Sequence, residues 1–278
     1  MGKFRYHILS SFWIKVIALF LMALDHISKI IPSNSWFIQI CDIFGRFGFP
    51  LFILLLVEGV IHTRNFWKYF LRLGILCGVV LIAQIVIHHC FLDIYGFYSP
   101  LIDLLLCALT LYFLKQKNRK SFFAIIPISI IILSFVVMNL EEMKDIEIWW
   151  YPFYLRSGYN IFALLLSLGF FYAYPLAKVM MKNYNNGVNQ LEGTAYERVF
   201  VNTIMCFVVF VSVVIIYLIS LIPLGNIFPS NESYALVSAV FIFLYSGELG
   251  YNKKWFKYGA YIYFPLHIVI IFAISLLL

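Results

Sequence analysis

The sequence predicts an all-α, polytopic integral membrane protein, and composition is the first reason. Of the 278 residues, 63% are hydrophobic and 12% are charged, whereas a soluble domain has about 45 to 50% apolar and about 25% charged residues. The second reason is that long apolar stretches recur along the chain, separated by clusters of Pro, Gly, Asn and charged residues. At about 20 residues per span, a bundle of nine to ten transmembrane helices nearly fills residues 1–278. We therefore predict a single transmembrane domain.

The breaks between apolar stretches place nine helices. In order, they cover residues 12–31, 43–62, 69–90, 98–114, 121–139, 159–179, 198–222, 231–247 and 257–277. The first is interpreted as a retained span, because no cationic leader with a small-residue cleavage site precedes it. The polar segment 182–197 forms a linker before the seventh helix, and Ser and Tyr interrupt the eighth. The ninth contains Pro265, which frees a backbone carbonyl that a neighbour or a cavity must satisfy.

Lysine and arginine alternate between the two predicted sides of the membrane. The N-terminal segment and every second loop are rich in them: Lys3, Arg5, Arg64, Lys68, Arg72, Lys115, Lys117, Arg119, Lys120, Lys182, Arg198, Lys253, Lys254 and Lys257. The longest intervening loop carries acidic residues instead: Glu141, Glu142, Asp145 and Glu147. The positive-inside rule therefore predicts a cytoplasmic N-terminus. Topology accounts for the net charge of +7, which gives no reason to expect a nucleic-acid partner.

Ionisable side chains fall inside the apolar stretches: Asp25, His26, Arg46, Glu58 and His267. A charge at the bilayer centre costs roughly 2.5 to 3.5 kcal/mol. Five such groups facing lipid could cost on the order of 10 kcal/mol, as much as the whole stability of a typical fold. We expect them to face one another or a wet cavity, which makes them a candidate functional site. All but Glu58 fall in the predicted outer half; Glu58 lies toward the inner end, one turn before His62.

Three stretches of the chain carry a family resemblance. They read IKVIALFLMALDHI, GRFGFPLFILLLVEGVIHTRNFWKYFLRL and LYSGELGYNKKWFKYGAYIYFPLHIVII. These resemble the DH, GR-x-x-FPLF-x-x-x-x-EG-x-x-HT-x-N and FP-x-H signatures of the TraX family, in the same order. That family consists of membrane acetyltransferases named for a protein that acetylates the N-terminus of conjugative pilin. It is similar to the superfamily of transmembrane acyltransferases, which carry an acyl group from cytoplasmic acyl-CoA to an acceptor at the outer face.

The resemblance implies an acetyl-CoA-dependent acetyltransferase of the bacterial cytoplasmic (inner) membrane. The donor would be acetyl-CoA, and the acceptor a peptide or pilin N-terminal amine or a glycan hydroxyl. Acyl transfer needs a base for the nucleophile and a cationic or hydrogen-bond-donating group at the developing oxyanion. His26 suits the base, because an imidazole with an ordinary pKa of about 6.5 exchanges protons near neutrality.

The remaining residues have expected roles around this base. Asp25 and Arg46 would tune it or bind the acyl carbonyl, and His267 would line the acceptor site. Asp25 is expected to reach Lys29 or Arg46 and not His26, because adjacent helical residues do not face each other.

A second set is expected to line the donor entrance on the inner side: Glu58, His62, Arg64, Lys68 and Arg72. The last three recur every four residues and so form a cationic stripe along one helix face. Such a stripe could bind the phosphates of coenzyme A. The alternative is that these are the anchors found at every cytoplasmic rim.

Other interpretations stay open for the outer residues. His26 could be hydrogen-bonded between helices purely for packing, Arg46 could snorkel to the interface, and Pro265 could mark a simple kink. Asp103 is interpreted as structural, because it lies in the first turn of a helix, where a negative charge is favourable. A proton-coupled transporter could use the same buried His, Asp and Glu side chains, although no internal repeat supports it. A non-catalytic assembly or immunity protein is a third possibility.

No metal is expected. His88, His89 and Asp93 come nearest to a metal-binding group, but no further spaced ligand accompanies them. The five cysteines are too scattered for a zinc pattern. Cys41 and Cys90 fall on the predicted outer side, where a disulfide is chemically permitted; buried free thiols are the alternative.

Overall fold

A computed structural model describes residues 8–31, 33, 35–90, 99–116, 118–146, 148–184, 195–221 and 230–277. Within these ranges the chain is helical and no β-strand forms; one isolated parallel bridge joins Leu9 to Tyr245. The α-helices are α1 (Ser11–Ile30), α2 (Trp36–Gly45), α3 (Gly48–His62), α4 (Phe66–Cys90), α5 (Pro100–Lys115), α6 (Ile125–Lys144), α7 (Asn160–Tyr184), α8 (Ala195–Ser220), α9 (Ser238–Phe243) and α10 (Lys254–Ser275). Short 3₁₀ segments cover Arg119–Ala124, Phe153–Leu155 and Ser230–Val237.

The described ranges contain seven helical segments that are long and apolar enough to cross a membrane. They are Ser11–Ile30, Trp36–His62, Phe66–Val86, Arg119–Lys144, Asn160–Lys182, Tyr196–Ser220 and Lys254–Ser275. Large apolar side chains project from their outer surfaces; Phe207, for example, is 64% exposed. A continuous apolar surface of this kind matches lipid and not water. The protein is therefore a multi-pass membrane protein, as its composition predicts.

Two of the nine predicted helices take a different form. The fourth is α5, which has 16 residues and is shorter than the about 20 that a straight span needs. The eighth, 231–247, is the 3₁₀ segment Ser230–Val237 followed by the six-residue helix α9. Its polar beginning, SNES, interrupts the apolar pattern, and the chain ends its helix at Phe243, before the polar SGELG stretch.

The predicted helix 43–62 has the wrong boundaries. It begins at Trp36, after Ser35 caps the helix by accepting a hydrogen bond from the Ile38 backbone N–H. A short break between Gly45 and Gly48 then separates α2 from α3. Arg46 thus lies in a break inside this segment and not at the outer start of a helix. The acidic residues Glu141 and Glu142 were predicted in a loop, but α6 continues through them to Lys144.

Two glycines allow α1 to approach α2 and α3 closely. A Cβ atom on Gly45 would lie 2.6 Å from the Asp25 Cβ, and one on Gly48 would lie 3.3 Å from the Leu21 Cβ. Helix α1 also packs against α10. The segment Trp36–His62 is the most buried of the seven: 67% of its most apolar stretch lies inside the protein. Helix α3 is therefore the centre around which the ionisable residues are arranged.

Asp103 has a structural role of a more specific kind than predicted. Its buried carboxylate accepts hydrogen bonds from the backbone N–H groups of Gly158, Tyr159 and Asn160 and from the Ser157 hydroxyl. It therefore caps the N-terminus of α7 from a neighbouring helix, where N–H groups have no intrahelical partner. The contact ties α5 to α7.

Candidate active site within the helix bundle

His26 on α1 and His267 on α10 form a buried hydrogen-bonded pair. The distance from His267 Nε2 to His26 Nδ1 is 2.9 Å. The two residues are 2% and 6% exposed, so neither ring touches lipid. Two of the ionisable residues identified in the sequence, 241 positions apart in the chain, are thus brought together.

The hydrogen bonds around this pair define its tautomers. His267 Nδ1 lies 2.8 Å from the Tyr263 carbonyl oxygen, and a carbonyl can only accept, so Nδ1 carries a hydrogen. In a neutral His267 ring, Nε2 must then be the acceptor, and His26 must donate from Nδ1. The lone pair of a neutral His26 is therefore on Nε2, which is the basic atom of the pair.

Helix α10 is continuous through Pro265 from Lys254 to Ser275. The carbonyl that holds His267 is that of Tyr263, one turn earlier in the same helix. The Tyr263 ring also stacks on the His267 ring, with centroids 5.0 Å apart. His267 is thus fixed by its own helix.

A network of charged side chains lies at the same end of α1 as His26. Asp25 pairs with Lys29, whose Nζ is 2.6 Å from Oδ2. Arg46 does not pair with Asp25; its two terminal nitrogens each lie 2.7 Å from an oxygen of Glu232 and of Asp42. From the α2–α3 break, Arg46 thus contacts α2 through Asp42 and the 3₁₀ segment Ser230–Val237 through Glu232. Its burial, 8% exposed, contradicts the interpretation as an anchor that snorkels to the interface.

Three atoms of this network are buried without a hydrogen-bond partner among the described residues: Asp25 Oδ1, Arg46 Nε and Glu232 Oε2. Arg46 is ion-paired with Glu232, and Gly45, the residue before it, lies against the backbone of Asp25, so these atoms share one neighbourhood. Buried polar groups without partners are costly and in native proteins call for an explanation such as a bound molecule. The network therefore has the character of a binding site for a polar group.

A second ionic cluster surrounds Glu58 at the opposite end of α3. The Glu58 carboxylate accepts a 2.6 Å hydrogen bond from the Tyr174 hydroxyl, and it lies 2.7 Å from Arg198 Nη2 and 3.1 Å from His62 Nδ1. Arg198 Nη1 donates to the Tyr174 hydroxyl over 3.0 Å. The cluster joins α3, α7 and α8. Glu58 is therefore a buried carboxylate whose charge is matched by a hydroxyl donor and a guanidinium from the protein itself.

Tyr245 completes this cluster from the chain segment before α10. The Arg198 guanidinium lies over the Tyr245 ring, 4.3 Å from its centroid, a favourable cation–π geometry. The Tyr245 and Ser11 hydroxyls are 2.6 Å apart. Burial raises the pKa of the Tyr245 hydroxyl to about 12, so this group stays neutral at physiological pH.

The residues predicted to line the donor entrance lie in three different surroundings. His62 joins the Glu58 cluster with a side chain that is 65% exposed. Arg64 lines a cavity of about 430 Å³ between the α3–α4 connection and the end of α5. The lining also includes Trp67, Tyr112 and Lys115, and Lys115 Nζ donates to the Val60 and Ile61 carbonyls at the end of α3. The other two stripe residues, Lys68 and Arg72, are exposed along α4 and do not line it.

The two ionic clusters are separated along the length of α3. This helix has 15 residues and is about 22 Å long at 1.5 Å per residue. The network of Arg46 is at its N-terminal end and Glu58 is one turn from its C-terminal end. Residues from the two predicted sets therefore do not form one cluster.

Sequence reasoning missed several residues that complete these clusters: Asp42, Tyr174, Arg198, Glu232 and Tyr245. Arg198 was counted only as a rim cation because it follows a polar linker. Glu232 fell in the segment with the weakest helical pattern, and tyrosines carry no charge signal. Their spacing in the chain contains no cue for these contacts. The side chains of His88, His89 and Cys90, together with Asp93, lie outside the described residues.

Comparison with known proteins gives a family match and one partial relative. The sequence model of the TraX protein family matches residues 10–165, which include His26, Arg46 and Glu58; Arg198 and His267 lie beyond the match. A probable fimbrial assembly protein FimC, serogroup H1, of Dichelobacter nodosus is 43% identical over 65 residues. That alignment covers 23% of this chain and 27% of the relative, so the chain spans about a quarter of its length. No solved structure matches.

Proposed function

The chain belongs to the TraX family, and from this premise we propose that it is an integral membrane acetyltransferase. It would move an acetyl group from cytoplasmic acetyl-CoA to an amine or hydroxyl at the outer face. The partial similarity to a fimbrial assembly protein favours an acceptor connected with pili, such as a pilin N-terminus; a surface glycan is the other class. The membrane would be the bacterial cytoplasmic membrane.

The observation that carries this proposal is the hydrogen bond between His26 and His267. A buried imidazole whose Nδ1–H is held by an acceptor presents its Nε2 lone pair in a fixed direction, and this is the requirement for a general base. His267, itself fixed by the Tyr263 carbonyl, is that acceptor. His26 is then the base and His267 its positioning residue, which also lines the acceptor site.

The proposed reaction is a nucleophilic substitution at the thioester. His26 Nε2 removes a proton from the acceptor nitrogen or oxygen as that atom bonds to the acetyl carbonyl carbon. The tetrahedral intermediate collapses, the carbon–sulfur bond breaks, and the proton passes from His26 to the departing thiolate of coenzyme A. The products are the acetylated acceptor and free coenzyme A.

The charged network next to this pair supports the same chemistry. Arg46 has a buried Nε–H with no acceptor among the described residues, and a donor of this kind stabilises a developing oxyanion. Asp25 lies beside His26 in the chain, and its negative charge favours the imidazolium that forms during proton transfer. Arg46 is held by Glu232 and Asp42, so it would meet the substrate already oriented.

The donor would enter at the far end of α3. Arg64 and Lys115 line the cavity there and suit the phosphates of coenzyme A, with Glu58 and His62 above them. Lys68 and Arg72, exposed on α4, would attract the donor from solution. In this arrangement the N-terminus is cytoplasmic. The shorter α5 and the segment Ser230–Phe243 would add two crossings to the seven long ones, giving nine.

The test is release of free thiol from acetyl-CoA by the purified full-length protein with pilin-derived peptides or surface glycans as acceptors. His26→Ala should reduce the rate by about 10² to 10⁴-fold, the contribution of general base catalysis. Leu266→Ala is the matched control, because this residue is adjacent to His267 on α10 but is 49% exposed on the surface of the helix bundle. This variant should retain the wild-type rate.

Each outcome separates the candidate functions. Full turnover by a folded His26→Ala protein would refute the base assignment. Wild-type protein that releases no thiol but changes the internal pH of proteoliposomes when substrate is added would identify a proton-coupled transporter. Wild-type protein that does neither, yet is needed for pilus formation in cells, would identify an assembly protein without catalysis.

A further inference from the structure

The cavity between the α3–α4 connection and the end of α5 has an aromatic wall that the binding of phosphates does not use. Its volume of about 430 Å³ is within the range of about 300 to 1,000 Å³ typical of small-molecule and cofactor sites. Aromatic, polar and cationic side chains line it, and none of the described residues that line it is acidic. The cavity therefore suits a ligand that is both aromatic and anionic.

Part of the aromatic wall is internal packing. Phe66, the first residue of α4, stacks on Tyr112 of α5, with ring centroids 4.0 Å apart and planes inclined by 13°. Phe66 is only 8% exposed. This pair therefore joins α4 to α5 and fixes the shape of the cavity.

Trp67 is the exposed part of the same wall. Its ring meets those of Phe66, Phe70 and Tyr112 in edge contacts, with interplanar angles of 73°, 87° and 64°. None of these three rings lies parallel to the indole, and Trp67 is 55% exposed. An indole that neighbours hold in place but leave exposed is a platform on which a flat ring can stack.

Positive charge lies in the same cavity as this indole. Arg64 is exposed, so its guanidinium is accessible to a ligand. Lys115 Nζ donates to the carbonyls of Val60 and Ile61, which uses two of its three N–H donors and leaves one for a ligand. Helix α4 begins at Phe66, so the positive end of its dipole is also at the cavity. All three features favour an anion.

We propose that this cavity binds the adenine nucleotide end of the acyl donor, with the adenine ring stacked on Trp67 and a phosphate next to Arg64. The proposal rests on the function proposed above and adds Trp67 as the residue that recognises the base. A purine is flat and aromatic and so matches the indole, while a guanidinium matches the oxygens of a phosphate.

The aromatic wall distinguishes a nucleotide from a phospholipid headgroup, the other phosphate source at a membrane surface. A headgroup phosphate would contact Arg64 equally well, but a glycerophospholipid has no flat ring to stack. Stacking of a base on an aromatic side chain changes affinity by about 5- to 150-fold. Nucleotide binding should therefore depend on both Trp67 and Arg64, whereas binding of a lipid phosphate should depend on Arg64 alone.

The first experiment is calorimetric titration of the purified full-length protein in detergent with adenosine diphosphate. Trp67→Ala should weaken binding about tenfold, whereas Trp67→Phe keeps a ring and should retain most of the affinity. Arg64→Gln should also weaken binding about tenfold, because it removes a charge-assisted hydrogen bond.

Two control variants should bind adenosine diphosphate as the wild type does. Trp13→Ala removes a tryptophan of nearly equal exposure, 53%, that does not line the cavity. Arg119→Gln removes an exposed arginine that does not line it either.

The second experiment compares two acetyl donors in the thiol-release assay. Trp67→Ala should raise the KM for acetyl-CoA about tenfold with little change in kcat. It should leave the KM for acetyl-pantetheine unchanged, because that donor lacks the nucleotide. A tryptophan that served only the fold would affect both donors alike.

The results distinguish this inference from the proposed function. No nucleotide binding by the wild type, or unchanged binding in both Trp67→Ala and Arg64→Gln, would overturn the inference, while thiol release by the wild type would still support the acetyltransferase. An equal loss in Trp13→Ala, or with acetyl-pantetheine, would also overturn it. So would nucleotide binding that phosphatidylglycerol abolishes and Trp67→Ala leaves unchanged, because the occupant would then be a lipid headgroup. Nucleotide binding that depends on Trp67 and Arg64, in a protein that never releases thiol, would sustain the site and refute the acetyltransferase.

Discussion

Replacing Gly45 by alanine tests whether close approach of α1 and α2 sets the geometry of the site. The added Cβ would lie 2.6 Å from the Asp25 Cβ and 2.7 Å from its Cα. Ordinary carbon–carbon contacts are about 3.5 to 4.0 Å. Because the obstructing atoms belong to or adjoin the backbone of α1, no side-chain rotation relieves the clash. The helices must therefore move apart by about 1 Å.

The size of the effect follows from this displacement. Forcing an extra carbon into a packed interior costs about 1 to 3 kcal/mol. A shift of about 1 Å at a catalytic group can cost about 10²-fold in rate, and Asp25 and His26 are the residues displaced. Alanine also gains about 0.5 to 1 kcal/mol over glycine from helix propensity. Gly74→Ala, inside α4 with nothing within 4 Å, carries that gain without the clash.

The assay compares reversible unfolding of the two variants in mixed detergent micelles, together with the rate of thiol release. We expect Gly45→Ala to be about 1 to 3 kcal/mol less stable than Gly74→Ala and to lose most of its activity. Equal unfolding midpoints for the two variants would refute the close-packing argument. Retained activity in a destabilised Gly45→Ala protein would show that the site does not depend on this helix contact.

Two further predictions concern stability. Asp103→Asn should lower the free energy of unfolding by about 1 to 3 kcal/mol, because an amide cannot accept all the hydrogen bonds at the start of α7; faster proteolysis between α6 and α7 would report the loosened cap, and an unchanged cleavage rate would contradict it. Arg46→Gln should cost about 3 to 5 kcal/mol by leaving the buried Glu232 carboxylate without its cation. Glu232→Gln should cost less, because Arg46 keeps its ion pair with Asp42. The double variant should cost less than the sum of the two, and strict additivity in a thermodynamic cycle would show that the pair is not coupled.

Composition and hydropathy are sufficient to predict the all-α membrane fold, because the cost of exposing polar backbone to lipid leaves helices as the available structure for apolar stretches of this length. The resemblance to the TraX family is confirmed by the match over residues 10–165. The meeting of His26 with His267 follows from the same physics, since each ring must find a polar partner inside the bundle. Boundaries were less predictable: the helix predicted to begin at residue 43 begins at Trp36, and Asp42, inside it, pairs with Arg46 one turn later.

The partners of the predicted site residues could not be inferred in this way. Arg46 could have met any carboxylate in the predicted outer half, and its pairing with Glu232 depends on how the irregular segment Ser230–Val237 packs against α2. Arg198 looked like a rim anchor because an arginine beside a polar linker normally is one. Its burial becomes visible only when Glu58, Tyr174 and Tyr245 are assembled from three separate parts of the chain.

The separation of the two clusters constrains any acyl transfer through this bundle. Between them, α3 presents side chains that are fully buried and apolar, among them Leu51, Ile53 and Leu54. A thioester carried from the Glu58 end to His26 would pass along this helix from Glu58 to Gly48, about 15 Å at 1.5 Å per residue. Apolar side chains disfavour water, and exclusion of water would protect a thioester from hydrolysis. In the proposed acetyltransferase the two ionic clusters would act separately, the one at the Glu58 end on the donor and the one at the His26 end on the acceptor.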